Sequence, residues 1–146
     1  MKLNSQDLEK ITDLTLEYYN RHAEDFWEGT RHHDVSQNIA AMLQHIEGEG
    51  PFAILDFGCG PGRDLKVFAE LGHIAIGLEG AAQFAAMARA YSGCEVWQQD
   101  FLKLDLSRKL FRWRIRQRLA VSCPQSGVAA RVAGTACMFE AGWRAV

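Results

Sequence analysis

A turn of alternating glycines has the composition needed to hold a small polar ligand. Gly58, Gly60 and Gly62 begin two residues after an acid, Asp56. Glycine lets the backbone turn sharply beside a ligand where a Cβ would clash. The apolar run Phe52–Leu55 predicts a strand buried on both faces, and the residues after the turn predict a helix whose free N–H groups point back into it. This order of strand, turn and helix is typical of a nucleotide-type cofactor site.

A second acid, Glu79, follows the next apolar run, from His73 to Leu78. It lies about 20 residues after Gly58, where an acid holds the ribose diol in nucleotide-binding βαβ units. Its carboxylate can accept hydrogen bonds from both hydroxyls. Acids are also common in surface turns, so this interpretation depends on the glycine turn that precedes it. Gly80 would let the backbone approach a ligand closely.

An acid and an aromatic residue, Asp100 and Phe101, follow the third predicted strand, Glu95–Gln98. Parallel strands present their carboxyl ends at one edge of a sheet, so this pair would lie near the glycine turn and Glu79. The spacing of the three groups agrees with one βαβαβ unit. The sequence therefore predicts an α/β fold, a Rossmann-like parallel sheet flanked by helices, which is incomplete because only its first three strands are recognisable.

Helices are predicted around these strands from the spacing of apolar residues. The first runs from Asn4, its cap, to about Asn20 and would pack across the sheet. The others are predicted over Ser36–Ile46, from the glycine turn to Gly72, and over Ala81–Tyr91. The face of the first helix that we expect to pack consists of Leu8, Ile11, Leu14 and Tyr18.

The run LDFGCGPGRDL, which contains the glycine turn, resembles motif I of the class I S-adenosylmethionine-dependent methyltransferases. The resemblance covers about Tyr18 to Leu106 and implies S-adenosylmethionine as the cofactor. In this family the first acid and the glycine turn surround the methionine part and the ribose, the second acid holds the ribose, and the acid–aromatic pair contacts the adenine. The cofactor-binding residues that the resemblance implies are Asp56, Gly58, Cys59, Gly60, Gly62, Glu79, Gly80, Asp100 and Phe101.

The resemblance also implies an enzyme that transfers a methyl group to an acceptor, which we expect to be a small molecule. The transfer would be an in-line displacement promoted mainly by positioning of donor and acceptor. No catalytic residue is predicted, because that part of the family's site lies beyond Leu106. A dinucleotide-dependent oxidoreductase is disfavoured, since Arg63 stands at the sixth position of the turn, where such enzymes have glycine.

The aromatic and polar segment Tyr18–Trp27 resembles the N-terminal lid that covers the cofactor in many small-molecule methyltransferases. Aromatic rings over a sulfonium interact favourably with its positive charge. Tyr18, Tyr19 and Arg31 are therefore candidate lid or substrate contacts. Ordinary packing of an N-terminal helix remains the alternative for the two tyrosines.

Length and composition are those of a soluble single-domain protein. The chain has 146 residues, of which 48% are hydrophobic and 23% charged, and no apolar run approaches the ~20 residues of a membrane span. The start of the chain lacks an apolar signal core, and the four cysteines show no paired metal spacing, so we expect a cytoplasmic protein. No metal site is predicted at His32-His33-Asp34 either, because adjacent histidines point in different directions on a regular element.

The charge of the chain changes abruptly near residue 107. From Arg108 onward there are eight basic residues and one acid, which leaves 8 basic and 17 acidic groups in the first 107 residues. Such a change marks a boundary, an interaction tail or something artificial. We therefore divide the chain into residues 1–106, which hold the cofactor-binding unit, and a basic tail, 107–146, which is not native to the fold. The arginines that alternate over Phe111–Leu119 would repel one another in a strand, and nucleic-acid binding is a disfavoured alternative for them.

The genetic code offers an explanation of the tail. Read one base later, the codons from Phe111 permit Phe-Asp-Gly-Val-Phe-Ala, and those from Phe139 permit Leu-Lys-Pro-Gly-Gly-Val-Leu, a turn that the family has before its fifth strand. We therefore expect the residues from about Ser107 to be an out-of-frame translation of a methyltransferase gene. The central strand would then lose a neighbour, and its apolar edge would invite self-association unless Val128–Phe139 covers it. On this view the alternative function is that of a truncated, non-catalytic remnant with weak or no cofactor binding.

Overall fold

The structure, a computed structural model, describes residues 4–46, 48–106, 119–123 and 128–131. The helices in these ranges are α1 (Ser5–Arg21), α2 (Ala23–Thr30), α3 (Ser36–Gln44), α4 (Arg63–Glu70) and α5 (Ala82–Ser92). The strands are β1 (Ala53–Phe57), β2 (Ile74–Glu79), β3 (Glu95–Gln98), β4 (Leu119–Cys123) and β5 (Val128–Arg131). The first three strands lie close to the bounds predicted from the sequence.

The five strands form one sheet in the order β3-β2-β1-β4-β5. Strand β1 pairs in parallel with β2 on one side and with β4 on the other, β2 pairs in parallel with β3, and β5 runs antiparallel to β4. The register places Asp56 of β1 between Gly77 of β2 and Ser122 of β4. This arrangement confirms the predicted Rossmann-like sheet, with β1 in a central position.

The edge of β1 is not bare, because part of the tail covers it; the sequence left such cover open but suggested a different segment for it. Leu119–Cys123 pairs with it, from Ala53 opposite Leu119 to Asp56 opposite Ser122. A strand edge with unpaired N–H and C=O groups readily accepts another strand, and the apolar composition of this segment favours one. Of the segment expected to cover the edge, Val128–Arg131 pairs with β4 instead, and the rest lies outside the described residues, as does the arginine-rich stretch before Leu119.

Side chains that alternate along the strands build a core on each face of the sheet. On one face Ile54 belongs to a cluster with Leu65 and Phe68 of α4. On the other face Leu55 belongs to a cluster with Trp97 of β3. Both faces of β1 are thus buried, as its unbroken apolar run predicts.

Helix α1 packs through a different face from the one predicted. The exposed fractions of Leu8, Ile11, Leu14 and Tyr18 are 39%, 49%, 59% and 60%. Leu16 and Tyr19 pack instead, against a cluster that contains Phe84 of α5. The sequence places apolar residues on both sides of this helix, and their spacing alone selected the wrong side. The predicted cap is confirmed, since Asn4 and Asp7 each accept the other's backbone N–H through their side chains.

Candidate cofactor site

Backbone hydrogen bonds hold the glycine turn between β1 and α4. The N–H groups of Gly58 and Cys59 both donate to the carbonyl of Leu78 in β2, at 2.7 and 3.2 Å, and the N–H of Gly62 donates to the Cys59 carbonyl at 3.1 Å. Gly58, Gly60 and Gly62 have φ angles of 76°, 54° and 90°, which residues with a Cβ rarely adopt. The local backbone therefore requires the glycines that the sequence pattern singles out.

The three glycines differ in what surrounds them. Apart from chain neighbours, a Cβ placed on Gly58 or Gly60 would meet no atom within 4 Å, whereas one on Gly62 would lie 2.8 Å from Ala88 Cα in α5. Gly62 therefore permits close packing of α5, and the space beside Gly58 and Gly60 is open. A turn with an open side is the shape that a nucleotide-type cofactor needs, so this part of the chain fits the group that the sequence implies.

Glu79 joins the glycine turn to the end of β2. Its Oε2 atom accepts the N–H of Gly60 at 2.8 Å, and its Oε1 atom accepts those of Gly80 and Ala81 at 2.8 and 2.9 Å. The residue is buried, with 7% of its surface exposed. A carboxylate has about four acceptor positions, so these three donors leave one, on Oε2. One acceptor position of Glu79 is therefore left for a further donor, and its predicted contact with a ribose stays a prediction.

Asp56 is fully buried at the end of β1, two residues before the turn. Neither of its carboxylate oxygens has a hydrogen-bond partner within the described part of the chain. Burial, followed by the negative charges of Asp64 and Glu79, raises the pKa of this carboxyl well above its ordinary value, against a smaller opposing effect of Arg63. A buried polar group without a partner is a second feature that fits a polar ligand.

Cys59 faces the core rather than the open side of the turn. It belongs to a cluster with Leu65, and a Cβ on Gly77 would lie 2.6 Å from its Sγ atom. Burial is the largest of the causes that raise the pKa of its thiol above the ordinary range. Cys59 is therefore an unreactive small residue that packs beneath the turn.

Arg63 ties the start of α4 to the N-terminal helices. Its Nε atom lies 2.8 Å from Asp64 Oδ1, and its Nη1 atom donates to the carbonyl of Thr30 at 3.1 Å. From the sequence, the only inference drawn from Arg63 was that a dinucleotide site is disfavoured. No local pattern could show the second contact, because it joins residues far apart in the chain.

Asp100 and Phe101 occupy a tight turn directly after β3. The ring of Phe101 lies against that of Phe57, the last residue of β1, with centroids 4.7 Å apart. Asp100 accepts the N–H of Leu102 on its Oδ1 atom at 2.8 Å, and its carbonyl accepts the N–H of Lys103 at 3.0 Å. The structure thus places the predicted acid–aromatic pair at the same edge of the sheet as the glycine turn.

Gln99 holds this turn in place, and no pattern in the sequence predicted this role. Its backbone N–H donates to the carbonyl of Glu79 at 3.0 Å. Its side-chain amide donates to the carbonyl of Asp105 at 3.2 Å and accepts the N–H of the same residue at 3.0 Å. Gln99 therefore closes the loop that carries Asp100 and attaches it to the end of β2.

The contacts of the three candidate lid residues lie within the N-terminal helices and α5. Tyr18 is exposed, while the ring of Tyr19 lies 5.4 Å from that of Phe84. Arg31 forms a surface ion pair with Glu28 at 2.9 Å. These contacts support the packing interpretation for Tyr19.

Other residues of α1 do reach the edge of the site. A Cβ on Gly80 would lie 3.0 Å from Leu16 Cδ2, and Glu9 pairs with Lys103 at 3.1 Å. Helix α1 thus extends from the loop after β2 to the loop after β3. The small size of Gly80 permits the approach of this helix, and its predicted contact with a ligand stays a prediction.

The histidine-rich segment before α3 has a local structural role. Asp34 accepts the N–H of Ser36 at 2.9 Å at the start of the helix, and hydrogen bonds from this serine lower the pKa of Asp34. The described residues contain no group of three or more His, Cys, Asp or Glu placed to hold a metal ion. Among the helices of those ranges, none has the length and apolarity needed to cross a membrane.

Comparisons with known proteins connect the fold to one class of enzymes. No family model and no curated protein matches the chain. A methyltransferase from Anabaena variabilis, described as dependent on S-adenosylmethionine, is 17% identical with a TM-score of 0.56, over 84% of this chain and 49% of its own. Phosphoethanolamine N-methyltransferase 1 from Haemonchus contortus, in complex with phosphoethanolamine and S-adenosylhomocysteine, is 14% identical with a TM-score of 0.51. The match covers 70% of this chain and 24% of the methyltransferase. Magnesium protoporphyrin IX methyltransferase from Synechocystis, with bound S-adenosylmethionine, is 18% identical with a TM-score of 0.50. The match covers 64% of this chain and 56% of that methyltransferase.

The chain therefore has the fold of the S-adenosylmethionine-dependent methyltransferases. The resemblance stated from the glycine turn is confirmed at the level of the fold. The matched region spans between 24% and 56% of the three solved chains.

Proposed function

We propose that this chain forms the cofactor-binding part of a methyltransferase that uses S-adenosylmethionine and methylates a small molecule. One observation carries the proposal. The Glu79 carboxylate bonds directly to the glycine turn at Gly60, which puts the acid of β2 beside the open space next to Gly58 and Gly60. An acid and an open glycine turn in contact are what recognition of a nucleoside with an attached polar chain requires.

The described residues divide the recognition of such a cofactor among three positions. Gly58 and Gly60 would lie against the methionine part, with the buried Asp56 behind them. Glu79 would accept a ribose hydroxyl on its remaining acceptor position, and Phe101 with Asp100 would contact the adenine. When bound, the cofactor supplies an electrophilic methyl group on a sulfonium. The contribution of the chain is to fix the donor in one orientation, which lowers the entropic part of the barrier.

The acceptor is proposed to be a small molecule because solved methyltransferases with a similar fold act on small molecules. Two of the solved relatives act, by their names, on phosphoethanolamine and on magnesium protoporphyrin IX. Catalytic residues are not assigned, because the part of the site that holds them in this family lies beyond Leu106. We further propose that the cofactor unit ends near residue 106, where the charge of the chain changes sign.

Calorimetric titration of the full chain tests this function. S-adenosylhomocysteine should bind, and NAD should not, because Arg63 replaces the glycine that a dinucleotide turn requires. Gly60→Val is the site variant, since it fills the open side of the turn and places a β-branched residue at positive φ. Gly72→Val is the matched control, because Gly72 also has positive φ and open surroundings but lies beyond the other end of α4. Binding of neither compound would contradict the proposal and would favour a non-catalytic remnant.

A further inference from the structure

The most unusual group in the described part of the chain is the side chain of Asp56. It has no exposed surface and no hydrogen-bond partner on either oxygen within the described ranges. Its strand neighbours in register are Gly77 and Ser122, and neither position carries a charge. A buried ionised carboxylate that lacks both a donor and a counter-ion is strongly disfavoured over its protonated form.

The charged groups around Asp56 make ionisation harder still. From α4, Asp64 contributes a negative charge, and from β2, Glu79 contributes another. Arg63 opposes them, but this cation already pairs with Asp64 at 2.8 Å. The Cys59 thiol of the turn is a further titratable neighbour, and its own pKa is raised, so it brings no charge. Strand β4, the other element beside β1, has no charged residue in its sequence.

We propose that Asp56 is a neutral carboxylic acid in the free protein and releases its proton when a ligand with a positively charged amine binds at the glycine turn. The inference rests on the proposed function and adds the charge class of the ligand. A cation beside Gly58 supplies the positive charge that the surroundings of Asp56 lack. In an interior of low dielectric constant this charge acts over several ångströms, so it need not touch the carboxylate.

Ligand binding changes one bond, in the carboxyl group of Asp56. The O–H bond of the Asp56 carboxyl breaks, its electron pair stays on the carboxylate, and the proton passes to the buffer. The amine of the ligand stays protonated, and no other bond changes. An amino-acid-bearing nucleoside should therefore bind with proton release, whereas the same nucleoside without its amine should not.

Proton release makes the affinity depend on pH. While Asp56 is protonated in the free protein and ionised in the complex, the dissociation constant should fall about tenfold for each pH unit gained. At about pH 6 an α-amine is fully protonated, so the ligand contributes nothing to this slope. The Asp56→Asn variant resembles the neutral acid in shape and cannot release a proton.

The test is calorimetric titration of the full chain at about pH 6 in two buffers of different ionisation enthalpy. With S-adenosylhomocysteine the two enthalpies should differ, in the sense that corresponds to proton release on binding. With 5′-methylthioadenosine, which lacks the amino-acid group and therefore both its amine and its carboxylate, the two enthalpies should agree. Asp56→Asn should abolish the difference for S-adenosylhomocysteine.

Other results of the titration would overturn the proton release, the proposed function or both. Binding of S-adenosylhomocysteine with equal enthalpies in both buffers would overturn the proton release and leave the proposed function standing. Equal proton release with 5′-methylthioadenosine, or with Asp56→Asn, would also overturn it. No binding at all would overturn the proposed function together with this inference. Should Asp56→Asn fail to fold, the two ligands on the unaltered chain still decide the question.

Discussion

The carboxylate of Glu79 accepts the backbone N–H of Gly60 across 2.8 Å and so fixes the glycine turn to the end of the neighbouring strand. The same side chain accepts the N–H groups of Gly80 and Ala81. Glu79 therefore shapes the site before any ligand arrives. This role follows from the structure, because the sequence assigned Glu79 only a contact with ribose.

Replacing Glu79 by Gln should weaken both the turn and the site. An amide offers one acceptor oxygen in place of two, so a backbone N–H that now binds carboxylate would face an NH₂ group. Loss of a buried charged hydrogen bond predicts a free energy of unfolding lower by about 1–3 kcal/mol. We expect the affinity for S-adenosylhomocysteine to fall at least about tenfold, which corresponds to about 1.4 kcal/mol. Denaturant unfolding and calorimetry measure the two effects.

The control for this variant is Glu70→Gln, on the exposed end of α4. It removes the same charge without touching the turn, so stability and affinity should stay close to those of the unaltered chain. Equal losses in both variants would contradict the role given to Glu79.

Gly62 and Gly72 should respond differently to the same substitution by Ala. Both have positive φ, at 90° and 84°, so each variant should lose about 1–2 kcal/mol from backbone strain. Only at Gly62 would the new Cβ also meet Ala88, at 2.8 Å from its Cα atom. Overpacking adds about 1–3 kcal/mol there. The midpoints of urea unfolding compare the two, and equal shifts would show that α5 does not pack against the turn as described.

Asp56 should make the stability of the free protein fall as the pH rises. Its pKa is raised in the folded state from an ordinary value of 3.8, so its contribution is fully present below that value and is lost as the pH climbs to the folded pKa. Asp56→Asn removes this dependence. Between the ordinary and the folded pKa of Asp56, the free energy of unfolding of the variant should rise relative to that of the unaltered chain by about 1.4 kcal/mol per pH unit. Urea unfolding across this pH range measures the difference.

Asp34 provides a control of opposite sign. Hydrogen bonds from Ser36 lower its pKa, so its contribution is present above the ordinary value and is lost as the pH falls. Asp34→Asn should therefore be less stable than the unaltered chain near neutrality and should approach it in acid. If Asp56→Asn showed this same direction, the buried carboxyl would have to be ionised and partnered.

The coding DNA should continue the fold in another reading frame. Read one base later from about Ser107, it is expected to encode a fourth strand and then a Lys-Pro-Gly-Gly turn before a fifth. Sequencing of the DNA beyond the Val146 codon tests this. A stop codon in the shifted frame within a few triplets of the Val146 codon would contradict the hypothesis. Codons that do not encode these strands would also contradict it. The strand formed by Leu119–Cys123 would then be the native neighbour of β1.

Short-range patterns predicted the part of the site that local chemistry dictates. Positive φ at Gly58 and Gly60 requires glycine, and an acid after the second strand is recognisable because strand ends meet at one edge. The bidentate contact of Gln99 with Asp105 has no such signal, since many glutamines follow strands without it. The choice of packing face on α1 depends on contacts with α5, which lies some sixty residues later. The partner of β1 likewise depends on pairing between distant segments.

An amide chemical-shift titration of the isotopically labelled chain with S-adenosylhomocysteine tests directly whether the cofactor binds at the glycine turn. We expect saturable shifts concentrated at Gly58, Gly60, Gly80 and Phe101, with small changes at exposed positions of α4 such as Glu70. Shifts that spread evenly over the surface, or that leave the glycine turn unchanged at saturating ligand, would contradict this expectation.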